Sequence, residues 1–204
     1  MKEFWNTRYG ESIYAYGIEP NIFFKEVFDQ LFQKGVVLFA AEGEGRNAVY
    51  AAQKGWQVKA FDLSIEAKNK ALLLAKQRGV EIDYVVSEID SLGDSFDLVD
   101  ALVLIYAHFP KEVRKGYHQQ LSRYVKTGGL LVLEAFEKKH IEKQLVNPKV
   151  GGPNQIDMLY SIEELRDDFP NFDFLLLEEA DVVLNEGIFH QGEARVVHVL
   201  AKKR

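Results

Sequence analysis

The residues Val36-Val37-Leu38-Phe39-Ala40-Ala41, the bend Glu42-Gly43-Glu44-Gly45 and the following Arg46-Asn47-Ala48-Val49-Tyr50-Ala51 decide the fold. An unbroken apolar run of this length reads as a strand buried on both faces. The glycines permit a tight turn, and the pattern after them predicts a helix over 46–54 that stops at Gly55. The same unit repeats downstream. A strand at 58–61 ends on Asp62, and Ser64 caps a helix over 65–78 closed by Gly79. A strand at 82–86, an acidic connection over 87–98 and a strand at 100–106 follow. Pro110 opens a helix to Tyr124, and Gly128-Gly129 precede a strand at 130–136. Upstream, Asn21 caps a helix over 22–34 with Phe24, Val27, Phe28 and Leu31 on one face. Strands separated by helices predict a doubly wound, Rossmann-like α/β fold around a parallel sheet.

The end of the chain departs from that alternation. Ser161-Ile162-Glu163-Glu164 reads as a capping box opening a helix to Phe169. Two strand-like stretches, 172–184 and 194–202, then follow with no helix between them. The residues around Asn185-Glu186-Gly187 are too few for a crossover, so this pair is expected to be antiparallel.

The whole chain, 1–204, fits one domain. A net charge of −6 argues against nucleic acid or a membrane as partner. The absence of cysteine excludes disulfides, zinc-thiolate sites and a catalytic thiol, and fits a reducing cytoplasm. The five histidines are dispersed, with no His-x-x-x-His pair, so no metal site is expected. The N-terminus shows no signal-peptide pattern. The longest apolar run, Ala101 to Ala107, is far short of the roughly 20 residues that span a bilayer. The expectation is a soluble, cytoplasmic protein.

The strand–glycine bend–helix unit, with Asp62 placed 19 residues after Gly43, is the layout of a nucleotide crevice. An acid at the end of the second strand accepts from ribose hydroxyls. A pyrophosphate would seek the helix N-terminus, where Glu42 and Glu44 would repel it. S-adenosylmethionine carries the same adenosine with a sulfonium and an ammonium and no phosphate, and an acidic bend suits it. No P-loop pattern is present.

The segment Ala41 to Ala48, with Asp62-Leu63-Ser64, resembles motif I and its acidic successor in class I S-adenosylmethionine-dependent methyltransferases. More narrowly it resembles the small bacterial, tellurite-resistance-like subgroup. The likeness extends to Trp5-x-x-Arg8-Tyr9, Tyr16-Gly17-x-Glu19-Pro20-Asn21, Ala107-His108-Phe109-Pro110, Thr127-Gly128-Gly129 and Gly151-Gly152-Pro153. It implies a seven-stranded sheet in the order 3-2-1-4-5-7-6 with strand 7 antiparallel, S-adenosylmethionine as cofactor, and methyl transfer to a small molecule or small oxyanion. One position departs from the family: Phe39 stands where motif I commonly has an acid.

The resemblance implies cofactor contacts at Arg8, Ala41, Glu42, Gly43, Gly45, Asn47, Asp62, Leu63, Glu88, Ile89 and Ile105. Trp5, Arg8 and Tyr9 share a helical face. Arg8 either pairs with the methionyl carboxylate or is a snorkelling packing residue. His108, at the exit of the fourth strand, is the candidate general base, with His190 as a second and Tyr106 beside His108. Residues 1–20 read as a cap and 137–160 as a lid over the acceptor. A non-catalytic S-adenosylmethionine-binding protein and an NAD-dependent oxidoreductase are the competing readings. The acceptor and the oligomeric state are not legible.

Overall fold

The computed structural model describes residues 2–31, 33–93 and 96–204. Seven strands form one sheet: β1 Val36–Ala40, β2 Gln57–Asp62, β3 Asp83–Val86, β4 Val99–Ile105, β5 Val125–Phe136, β6 Phe172–Glu186 and β7 His190–Lys203. Their order is β3-β2-β1-β4-β5-β7-β6, with β7 antiparallel to both its neighbours. The expected Rossmann-like arrangement is the observed one.

Among the described residues seven α-helices accompany the sheet: α1 Lys2–Tyr9, α2 Ile22–Asp29, α3 Arg46–Gln53, α4 Ile65–Gln77, α5 Lys111–Arg123, α6 His140–Val146 and α7 Ile162–Asp168. Alternation along the strands divides the core into two layers. Val37, Phe39, Val103 and Val132 face α2 and α3. Leu38, Leu102, Leu104 and Leu133 face the layer that holds Leu121 of α5 and Leu165 of α7. Phe39 is fully buried, with its ring 5.5 Å from Phe24. An apolar packing residue therefore fills the position where the related family commonly has an acid.

The caps follow the sequence. Asn21 Oδ1 accepts from the Phe24 amide, Ser64 Oγ from Ala67, and Ser161 with Glu164 closes a full capping box. The helix expected over 22–34 ends at Asp29, because the amides of Gln30 and Leu31 reach back three residues and tighten the last turn. Segment 137–160 contains α6 and is tied down, with a parallel bridge pairing Glu137 and Tyr160. Among the described residues no helix is long and apolar enough to cross a membrane.

Candidate active site

The chain leaves β1 toward β2 on one side and returns to β4 on the other, so the ends of β1 and β4 bound the switch-point crevice. Among the described residues, two that are not glycine have left-handed backbone, each at φ 53°: Ala41 directly after β1 and Tyr106 directly after β4. Each conformation costs on the order of 1 kcal/mol. Strain held at both lips of one crevice marks it as a site.

Glu42 turns back onto its own helix. Its Oε1 accepts from the amides of Asn47 (3.1 Å) and Ala48 (2.8 Å), capping α3 where Gly45 offers no side chain. Glu44 is equally committed, 2.8 Å from Lys70 Nζ and accepting from the Ala15 amide. Neither carboxylate is left over for a cation, unlike the reading from sequence. Together they occupy the place where a phosphate would be cradled.

Burial pushes the Glu42 carboxyl up to about 8, against the pull of the Ala48 amide and Arg46, with Asp62 adding to the rise. A raised folded-state value means the native protein holds an extra proton between about pH 4.5 and 8, so stability falls as pH rises through that window. Glu42→Gln is therefore expected to stabilise the protein by about 2 kcal/mol at pH 8 and very little at pH 4.5. Urea denaturation at the two pH values checks this, and equal effects at both would contradict it.

Asp62 closes the crevice floor. Its Oδ2 accepts from the Gly43 amide (3.1 Å) and its Oδ1 from Ser64 (2.9 Å). Burial raises this carboxyl to about 6 despite those amides. Tyr84 donates to the Gly43 carbonyl at 2.7 Å. Gly45 serves packing: a Cβ there would meet Ala71 Cβ of α4 at 2.6 Å. A Cβ on Gly43 would meet the Tyr9 hydroxyl at 2.8 Å, so α1 lies across the bend. Asn6 reaches Ser64 Oγ at 2.6 Å.

The remaining residues expected at the cofactor scatter around this floor. Leu63 and Ile105 are half-buried, Glu88 is exposed after β3, and Ile89 is buried in the short turn that follows. Asn47 spends its Oδ1 on the Asn21 amide. Arg8 donates to the Tyr16 hydroxyl (2.9 Å) and stacks on Phe189, 4.2 Å from the ring centroid. It links α1 to the β6–β7 turn.

His108 has no ring nitrogen to spare. Its Nδ1 lies 2.7 Å from the Met158 carbonyl, and its Nε2 accepts from the Phe136 amide at 3.1 Å. These contacts require the neutral ring protonated on Nδ1. Burial lowers its pKa to about 3. Its carbon-bound ring protons are expected to keep constant NMR shifts from pH 5 to 8; a titration midpoint in that range would restore it as a base.

Sequence reasoning missed a buried polar cluster beside Tyr106. Arg46 Nη2 donates to Glu186 Oε2 at 2.9 Å, and His190 Nδ1 lies 3.0 Å from the same oxygen. Asn21 Nδ2 donates to Glu134 (2.8 Å) and Glu186 (3.4 Å). His198 Nε2 lies 2.8 Å from Glu134. Burial raises Glu186, but Arg46 and His190 outweigh it and hold the carboxyl down at about 2. Burial, and then the neighbouring Glu134 and Glu186 carboxylates, push the Tyr106 hydroxyl well above its ordinary pKa. His190, expected in a loop, is the first residue of β7 and pairs with Glu186 across the hairpin. One signal was available: Glu134 interrupts the apolar run Leu130-Leu131-Val132-Leu133.

Residues 37–129 match the family model of the methyltransferase domain. This segment is similar to the methyltransferase domain. Solved structures share the fold over the full chain. A protein studied for the conversion of a disulfide bond into a thioacetal group during echinomycin biosynthesis superposes with a TM-score of 0.81 at 18% identity, covering 100% of this chain and 92% of that one. A SAM-dependent methyltransferase from Anabaena variabilis gives 0.70 at 18% identity, covering 100% and 93%. TehB from Haemophilus influenzae gives 0.71 at 14%, covering 100% and 67%. No curated protein matches the sequence. The matched segment spans β1 to the start of β5 and so contains the glycine bend, Asp62, Tyr106 and His108.

Proposed function

We propose that the chain is an S-adenosylmethionine-dependent methyltransferase acting on a small acceptor. The observation that carries this reading is the Glu42 carboxyl group on the α3 amides. A dinucleotide would need those amides for its pyrophosphate, whereas a sulfonium nucleoside does not. The residues present fit that ligand: a buried carboxylate stands where ribose hydroxyls need an acceptor.

Asp62 would hold the ribose, with Glu88, Leu63 and Ile89 toward the adenine and Arg8 toward the methionyl carboxylate. When bound, the cofactor supplies a methyl group on a sulfonium already activated as a leaving group. The chain's own work is alignment and exclusion of water. His108 contributes by fixing the 154–160 loop to the end of β5, a positioning role. Tyr106, held in left-handed backbone at the lip of the crevice, is the group best suited to meet the acceptor. The likeness to TehB supports the tellurite-resistance-like subgroup, and the acidic, cysteine-free composition supports a cytoplasmic setting.

Calorimetric titration with S-adenosylhomocysteine and with NADH tests the reading. Micromolar binding of the first and none of the second is expected; the reverse result would move the protein to the oxidoreductases. Segments 1–20 and 137–160 are proposed to cover the site. Limited proteolysis within them is expected to slow several-fold with S-adenosylhomocysteine bound; unchanged cleavage would remove the covering role.

A further inference from the structure

The chain has five histidines. His108 and His140 spend both ring nitrogens on backbone groups. His198 lies between the Glu134 and Glu178 carboxylates, and His118 is fully enclosed against Asp168 of α7. His190 is different. Its Nδ1 is 3.0 Å from Glu186 Oε2, and Arg46 on the same oxygen helps keep that carboxyl ionised. A carboxylate only accepts, so Nδ1 carries the proton and the lone pair of the neutral ring is left on Nε2. No hydrogen bond among the described residues occupies Nε2. Burial, aided by Arg46, holds the ring neutral against the pull of Glu186 and Glu134.

Three elements of the proposed site meet at this ring. Its centroid is 4.5 Å from that of Tyr16 in the cap segment and 4.7 Å from that of Tyr106 at the crevice lip. The third element is the 137–160 segment. A Cβ on Gly151 would come within 3.2 Å of Nε2 and 2.3 Å of the Phe189 carbonyl. At φ 78° that position favours glycine, which lays bare backbone over the nitrogen.

We infer that His190 is the general base of the methyltransferase proposed above, its Nε2 taking the proton of a neutral acceptor that carries a weakly acidic hydroxyl or thiol. The inference rests on that reading. The acceptor's oxygen or sulfur gives its proton to Nε2 and its electron pair to the methyl carbon, and the methyl group's former bonding pair stays on the cofactor sulfur. Glu186 fixes the tautomer before the step and faces the imidazolium after it. An oxyanion arrives ionised and has no use for such a base.

Long-range ¹H–¹⁵N NMR of the full, unaltered chain is the test. His190, assigned through its contact with the Tyr106 ring, is expected to carry its proton on Nδ1 and none on Nε2. A proton on Nε2 would overturn the inference. 4-Nitrophenol, about as acidic as an imidazolium, is then added to the S-adenosylhomocysteine complex at pH 6.5. It is expected to move the Nε2 resonance toward its protonated position, whereas the methyl ether 4-nitroanisole, with no proton to give, leaves it in place. No shift with millimolar phenol, or an equal shift with the ether, would also overturn it. Methyl transfer from S-adenosylmethionine at pH 8 supplies the kinetic arm. His190→Gln is expected to lower kcat about 100-fold on phenol with KM kept, and far less on 4-nitrophenol, which is already ionised. An equal loss on both would mark a structural role; with neither phenol methylated, the NMR results still decide. Failure of S-adenosylhomocysteine to bind would sink the methyltransferase reading and this inference with it. A protonated Nε2 in a chain that binds S-adenosylhomocysteine sinks this inference alone.

Discussion

Asp62→Asn is expected to weaken S-adenosylhomocysteine binding by about 100-fold, or roughly 2.7 kcal/mol. The carboxylate already accepts from the backbone amides of Gly43, Ser64 and Leu63, and of its roughly four lone-pair sites one is left for a ribose hydroxyl. The asparagine NH₂ has no such lone pair. Wherever it points, it faces the amide hydrogen of either Gly43 or Ser64, and one acceptor for the sugar is gone. The pH dependence carries a sign. With the carboxyl at about 6 in the free protein, acid below that value protonates the group that must accept. Affinity should therefore fall toward tenfold per pH unit below pH 6 and level off above it. Calorimetry between pH 5 and 8 reads both effects. An Asp62→Asn variant with native affinity, or a flat profile, would take Asp62 out of the cofactor site.

Arg46→Met is expected to destabilise the protein by about 3–5 kcal/mol. The Arg46 and Glu186 side chains are only 8% and 9% exposed, so the methionine leaves a carboxylate buried against Asn21 and His190. The Tyr16 carbonyl also loses its donor. The acid limb offers a second reading. A carboxyl held at about 2 contributes stability that is present above about pH 4.5 and lost as pH falls toward 2. That contribution is about 3 kcal/mol, and most of it should vanish with the arginine. Adding Glu186→Gln to the variant should restore a large part of the loss, because it removes the stranded charge. Urea denaturation of the single and double variants checks the coupling; additive effects would show that the pair is not the source.

The glycine bend, the strand order and the antiparallel ending were legible because each is written in short-range pattern. Apolar runs of strand length, caps at Asn21, Ser64 and Ser161, and the lack of a helix between 184 and 194 all act within a few residues. The polar cluster was not legible, because Asn21, Arg46, Glu134 and Glu186 meet only after the sheet has formed. Asn21 and Glu186 are 165 positions apart. His108 shows the opposite error. A histidine at a strand exit has the right address for chemistry, yet a loop carbonyl from residue 158 and a strand amide from residue 136 absorb it. Glu42 shows a third case. Its charge was visible, but its direction depends on α3 lacking a side-chain cap.

The contact between the first segment and the last hairpin bears on how the protein is made. Gly187 lets the backbone at Ala15 and Gly17 lie against the β6–β7 turn, where Ile188 donates to the Ala15 carbonyl. Residues 15–17 are thus held by residues 187–188, far downstream in the chain. On the ribosome, residues 15–17 must wait for residues 187–188 to emerge before they settle. A prematurely terminated product ending before residue 186 would leave Arg46 without Glu186 and the Tyr16 ring without Phe189 and His190. Such a fragment could assemble β1 to β4 yet never complete the crevice, so quality control has an unfinished wall to recognise rather than a competent enzyme.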